Sequence, residues 1–194
     1  MPVSTVLLAA IFILCCTGAL DRTCRRLKIS PGGVAAFAVL LGILSPAELP
    51  VGERVTLHPA YLAALAAGVG MCWNRPRLLR SLLLSMACGV CAWGMGSLFP
   101  NVYEPGLLYG LLPGALGRFL LRGRRQGLLC ALIAPLFFGL MVSLEDWYLF
   151  DQVRIGLGSP LQFDMQVCGA TLYGTLLYLP KPGLKPSRTV EKEG

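Results

Sequence analysis

The chain has 194 residues, 55% of them hydrophobic and 14% charged, with a net charge of +7. A soluble domain carries about 25% charged residues, so composition argues against a fold in water and for lipid as the solvent. The basic excess does not point to nucleic acid, because the lysines and arginines fall in short clusters between apolar runs, as they do in the cytoplasmic loops of inserted proteins.

A helix needs about 20 residues to cross a hydrocarbon core about 30 Å thick, and the chain offers seven such segments, predicting an all-α polytopic bundle. The first predicted span covers 3–20. The cluster Arg22–Lys28 follows this run instead of preceding it, no A-x-A-like site ends it, and Leu14 stands before Cys15 where a lipoprotein signal has a small residue. It is therefore read as a retained anchor and not a signal peptide. The second and third spans are predicted at 29–49 and 55–73, the third containing the single histidine, His58. The fourth covers 80–100. The fifth, 105–121, is long enough only by taking in Arg118, whose side chain can snorkel to an interface. The sixth covers 126–144 and the seventh 163–180, which begins beside Asp164. The tail 181–194, with Pro182 and Pro186, is predicted to be disordered and cytoplasmic.

Charge asymmetry sets the orientation. With the N-terminus outside and the C-terminus cytoplasmic, the inner segments hold 15 of the 17 basic residues and only Arg54 and Arg154 lie outside. Starting the chain inside reverses the bias, and removing the fifth or seventh span blurs it, so seven spans best satisfy the positive-inside rule. Glu48, Glu53, Glu104, Glu145, Asp146, Asp151 and Asp164 then lie outside. The largest outer connection, 145–164, carries Trp147, Tyr148 and Phe150 and reads as an interfacial segment with room for a short surface helix. Short loops predict antiparallel packing of successive helices, and after the first helix the chain reads as three similar hairpins.

The candidate functional residues are few. Gly106, Gly110 and Gly114 recur at four-residue spacing on the fifth span, with Pro113 beside them. That face serves either close helix packing or, with the proline freeing a carbonyl, a substrate path. Glu48, His58 and Glu104 gather near the predicted outer mouth as proton or cation candidates, though a hydrated loop explains them as well. Cys88 and Cys91 form a C-x-x-C pair, with Cys72 and Cys130 on neighbouring spans, a weak metal or thiol candidate against the ordinary role of cysteine as a small apolar residue. Arg118, Arg122, Arg124 and Arg125 are candidates for holding anionic lipid headgroups.

No phosphate loop, G-x-S-x-G, H-E-x-x-H or intramembrane Ser/His pairing occurs. The sequence therefore calls for no cofactor or metal and offers no catalytic constellation. Two readings follow: a small permease, or membrane-embedded transporter subunit, for a small solute or ion; and a non-catalytic structural or assembly partner in a larger membrane complex. The expected partners are the lipid bilayer and a second membrane protein or another copy of the chain, with no nucleic acid. The charge pattern fits a bacterial cytoplasmic membrane.

Overall fold

The computed structural model describes residues 3–51, 55–72, 78–99, 105–121, 123–150 and 155–177. Arg75, Arg77, Glu53, Glu104, Arg122, Asp151, Arg154 and the tail 181–194 lie outside the described residues. Among the described residues the fold is helical apart from one small sheet. Its helices are α1 (Val3–Cys16), α2 (Asp21–Leu27), α3 (Pro31–Leu44), α4 (Pro59–Cys72), α5 (Leu78–Leu98), α6 (Pro105–Leu120), α7 (Arg124–Phe150) and α8 (Pro160–Leu176). By length and composition, α5 and α7 are able to cross a membrane, and α1 with α2 adds a third if that bent pair is one span.

Local chemistry explains most helix starts. Pro31, Pro59, Pro105 and Pro160 each open a helix, at the position where a proline's fixed φ is suited and its missing N–H costs nothing. The residue before each proline then acts as the cap in three of these. Ser30 accepts from the Gly33 N–H, and Ser159 forms a reciprocal capping box with Gln162. His58 accepts the Tyr61 N–H through Nδ1. Gly158 precedes the Ser159 cap with φ +90, a conformation that any residue with a Cβ resists.

The sheet joins β1 (Leu49–Pro50), β2 (Val55–Leu57) and β3 (Ile155–Leu157). β1 pairs antiparallel with β2, and β2 parallel with β3 with Val55 opposite Ile155. The segment after Glu145, read as an interfacial connection with room for a short surface helix, continues as α7 to Phe150 and later forms a strand. The first connection also differs from expectation. Instead of a basic loop, α2 turns by 96° from α1 and lies across the end of the bundle.

α7 is the central column, touching α4, α5, α6 and α8. The closest packing joins non-consecutive helices. Gly106 meets Asp164, Gly110 meets Met165 and Cys168, and Gly114 meets Gly169, so α6 and α8 run parallel in register. α5 and α7 are likewise parallel: Ser85 reaches the Cys130 carbonyl, Gly89 lies against Ala134 and Phe137, and Trp93 bonds Glu145. Consecutive α7 and α8 are antiparallel, with Gly127 against Tyr173 and Gly139 against Gln162. The three-hairpin expectation is thus cross-linked by contacts between hairpins, because glycine faces permit backbone approaches that the larger side chains of neighbouring turns prevent.

Candidate functional site

The α6 glycine face is filled. A Cβ on Gly110 would sit 2.6 Å from the Met165 carbonyl oxygen, and one on Gly114 would sit 2.6 Å from that of Gly169. Pro113 is fully buried on the same helix. These residues hold α6 against the backbone of α8.

At the bundle end that carries the sheet, polar groups are paired off as helix caps. The Asp164 carboxylate accepts the Ser4 N–H at 3.0 Å at the start of α1, and its Cβ lies against Gly106 at the start of α6. Anions are stabilised there by the unpaired N–H groups and the dipole. His58 is 2% exposed, not hydrated as a loop position would be. Its Nε2 lies 2.9 Å from the Ser45 carbonyl, Nδ1 accepts from Tyr61, and the ring packs on Phe163 with centroids 5.1 Å apart. Both ring nitrogens are thus engaged by backbone groups. Glu48 is exposed, and its expected partners Glu53 and Glu104 lie outside the described residues. On α7, Glu145 accepts from the Trp93 indole N–H at 2.7 Å.

The cysteines separate by environment. Cys88 is buried and hydrogen-bonded to the buried Cys130 on α7, whereas Cys91 faces outward on α5. The C-x-x-C pair is therefore not a joint site; the cross-helix pair is Cys88 with Cys130. The Cys72 side chain lies outside what is described. Cys15 and Cys24 form a second contact at the α1–α2 elbow, and burial pushes the Cys24 thiol up from its ordinary value, which keeps it protonated and unreactive. Among the described residues no group of three metal-ligating side chains occurs.

The opposite end is basic, and its arginines tie helix ends together. The Arg118 Nε donates to the Leu176 carbonyl at 3.0 Å, and Arg125 donates to the carbonyls of Leu27 and Lys28 at 2.9 and 3.0 Å. Arg26 donates to the Leu177 carbonyl, and the Tyr173 hydroxyl to that of Arg124. Guanidiniums so placed satisfy the carbonyls left open at the ends of α2 and α8 and complement their dipoles. Arg118 and Arg125 are thereby engaged in the fold, and the exposed Arg124 donates to the Arg26 carbonyl at 3.4 Å. A cleft of about 600 Å³ opens beside it, lined also by Arg22, Arg25, Arg26 and Asp21.

Sequence reasoning missed α8's glutamines. Gln162 accepts from the N–H groups of Gly158 and Ser159. Gln166, fully buried, donates to the Leu132 carbonyl at 2.8 Å near Pro135, and its Oε1 has no partner among the described residues. An apolar run with two glutamines four apart on one helix face was the available signal. In comparisons with known proteins, no family model matches the chain, and neither curated proteins nor solved structures give a significant match.

Proposed function

We propose that the chain is a seven-span membrane protein, with its N-terminus outside and its C-terminus cytoplasmic, that serves as a non-catalytic structural component of a larger membrane assembly. Seven of the eight helices coincide with the seven segments read from hydropathy, and α2 takes the place of a cytoplasmic loop. The charge-free stretch of α7 between Arg125 and Glu145 is about 30 Å long at 1.5 Å per residue, the thickness of a hydrocarbon core. Labelling tests this arrangement. With single cysteines in a cysteine-free background, a membrane-impermeant maleimide applied to intact cells is expected to label replacements at Glu53, Glu104 and Asp151. Those at Arg77, Arg124 and Lys185 are expected to stay unlabelled. Labelling at Arg124 would reject the topology.

The observation that carries the structural role is the closure of the α6 glycine face by the α8 backbone, which leaves no room for a solute along the helix best suited to line a path. The outward face of α5 suits association. Leu79, Leu83, Met86 and Val90 are exposed there at the alternating four- and three-residue spacing of a helix-packing seam. In native membranes, single cysteines at Leu83 and Val90 should give discrete higher-mass adducts on mild oxidation, and one at the exposed Ile43 of α3 should not. Absence of adducts from α5 would sink the assembly reading.

A small permease is the second reading. The buried, unpartnered Gln166 oxygen beside the Pro135 interruption favours it, since broken helices and buried polar groups form transport sites. It predicts solute uptake by reconstituted vesicles that Gln166→Leu abolishes.

A further inference from the structure

We infer that the cleft at the α1–α2 elbow binds a phosphate group, the shared chemistry of an anionic phospholipid headgroup and of free phosphate. The bend of 96° sets α2 across the basic end of the bundle. Its inner face, Thr23, Cys24 and Leu27, is buried, and Arg125 clamps the carbonyls of Leu27 and Lys28. α2 is thus fixed in place, and its outer face is left with work undone. Arg22 and Arg25 stand three residues apart on that face, both exposed, and neither guanidinium has a hydrogen bond or ion pair to any described residue. Arg26 and Arg124 complete the lining, and Asp21 is the single carboxylate among them.

Four guanidiniums against one carboxylate leave the cleft strongly positive, and the arginines repel one another until an anion enters. Planar guanidinium forks match phosphate oxygens in pairs, which an ammonium cannot do. The cleft's volume of about 600 Å³ lies in the range of small-ligand sites. It also differs from the arginine set expected from sequence: Arg118 and Arg125 are occupied by helix carbonyls, and Arg22 and Arg25 supply the free donors instead. A lipid source rests on the membrane arrangement proposed above, in which the elbow lies at cytoplasmic headgroup depth, where basic clusters meet anionic lipid. A free phosphate source does not rest on it.

The test uses the purified full-length chain in phosphatidylcholine nanodiscs, with and without phosphatidylglycerol, and the double variant Arg22→Gln/Arg25→Gln. Neither side chain bonds to the described fold, so the variant should melt as the wild type does in phosphatidylcholine alone. Native mass spectrometry is expected to show the wild type retaining phosphatidylglycerol over phosphatidylcholine, with retention reduced at least roughly fivefold in the variant. In the second arm, inorganic phosphate is titrated into phosphatidylcholine nanodiscs at constant ionic strength with chloride as the control. A phosphate-specific rise in Tm that the variant loses, without lipid retention, assigns the cleft to a soluble phosphate compound. Equal behaviour of wild type and variant in both arms overturns the inference. The labelling result at Arg124 is read separately, so a failed topology and a failed site are distinguishable.

Discussion

Gly110→Leu is expected to unfold the bundle or to lower its stability by about 3 kcal/mol or more, the range of severe overpacking. The reason is geometric. The first carbon alone would meet the Met165 oxygen at 2.6 Å, the Cys168 Cβ at 2.9 Å and the Met165 Cα at 3.1 Å. Two of these atoms are backbone, so no rotamer change relieves the clash and α6 must move away from α8. Even Gly110→Ala and Gly114→Ala should each cost more than 1 kcal/mol, roughly the penalty of overpacking at its low end. Gly42 and Gly94, around which a Cβ meets nothing within 4 Å, provide the comparison. Alanine there should be neutral or stabilising by about 0.5–1 kcal/mol through helix propensity. Unfolding of the purified protein in mixed detergent micelles measures all four. If Gly110→Ala matched Gly42→Ala, the parallel α6–α8 contact would be absent from the protein.

His58→Ala should be the second most damaging change, with an expected loss of about 3 kcal/mol, built from three parts. Losing the α4 cap costs about 1 kcal/mol. Stranding the Ser45 carbonyl, whose partner is Nε2 at 2.9 Å, costs about 1–3 kcal/mol because a buried acceptor loses its partner. The ring's contact with Phe163 is lost as well. His58→Asn separates these parts: a shorter side chain can still cap α4 but cannot reach Ser45, so it should recover about 1 kcal/mol. A His58→Ala variant as stable as wild type would show that the imidazole is a hydrated surface group after all.

The contrast between these two sites marks what the amino-acid order revealed. The helices themselves were legible, because uncharged runs of about the right length can do little else in lipid. The Gly106, Gly110 and Gly114 face was legible too, since four-residue spacing announces a smooth stripe, though nothing in the spacing named α8 as its partner. His58, expected in a hydrated loop or at a proton site, is instead buried at a helix start. The His-Pro pair before an apolar run is a helix-start signal, as Ser30-Pro31 and Ser159-Pro160 are. Cys88 and Cys91, read mainly as small apolar packing residues, part ways for a different reason. Residues three apart share a face only loosely, and the twist of α5 turns Cys88 toward Cys130 while leaving Cys91 outside. β1, β2 and β3, two or three residues each, carry too little pattern to be found, and the β2–β3 pairing, with Val55 opposite Ile155, joins segments about 100 residues apart in sequence. The division of labour among arginines, some tying helix ends and some facing a cleft, depends on where α2 bends and so was hidden from charge counting alone.

The helices differ in length, with α6 and α8, of 16 and 17 residues, in between. α1, α3 and α4 have 14 residues each, about 21 Å at 1.5 Å per residue. α5 and α7 have 21 and 27, about 31 and 40 Å. In the proposed embedding, the hydrocarbon meeting α1, α3 and α4 must thin by several ångströms while that meeting α5 keeps its full depth. Each ångström of such mismatch costs a fraction of a kcal/mol. So embedded, the bundle is a wedge, least strained where the membrane is thin, with an uneven rim that favours lipid of different tail length on its two sides.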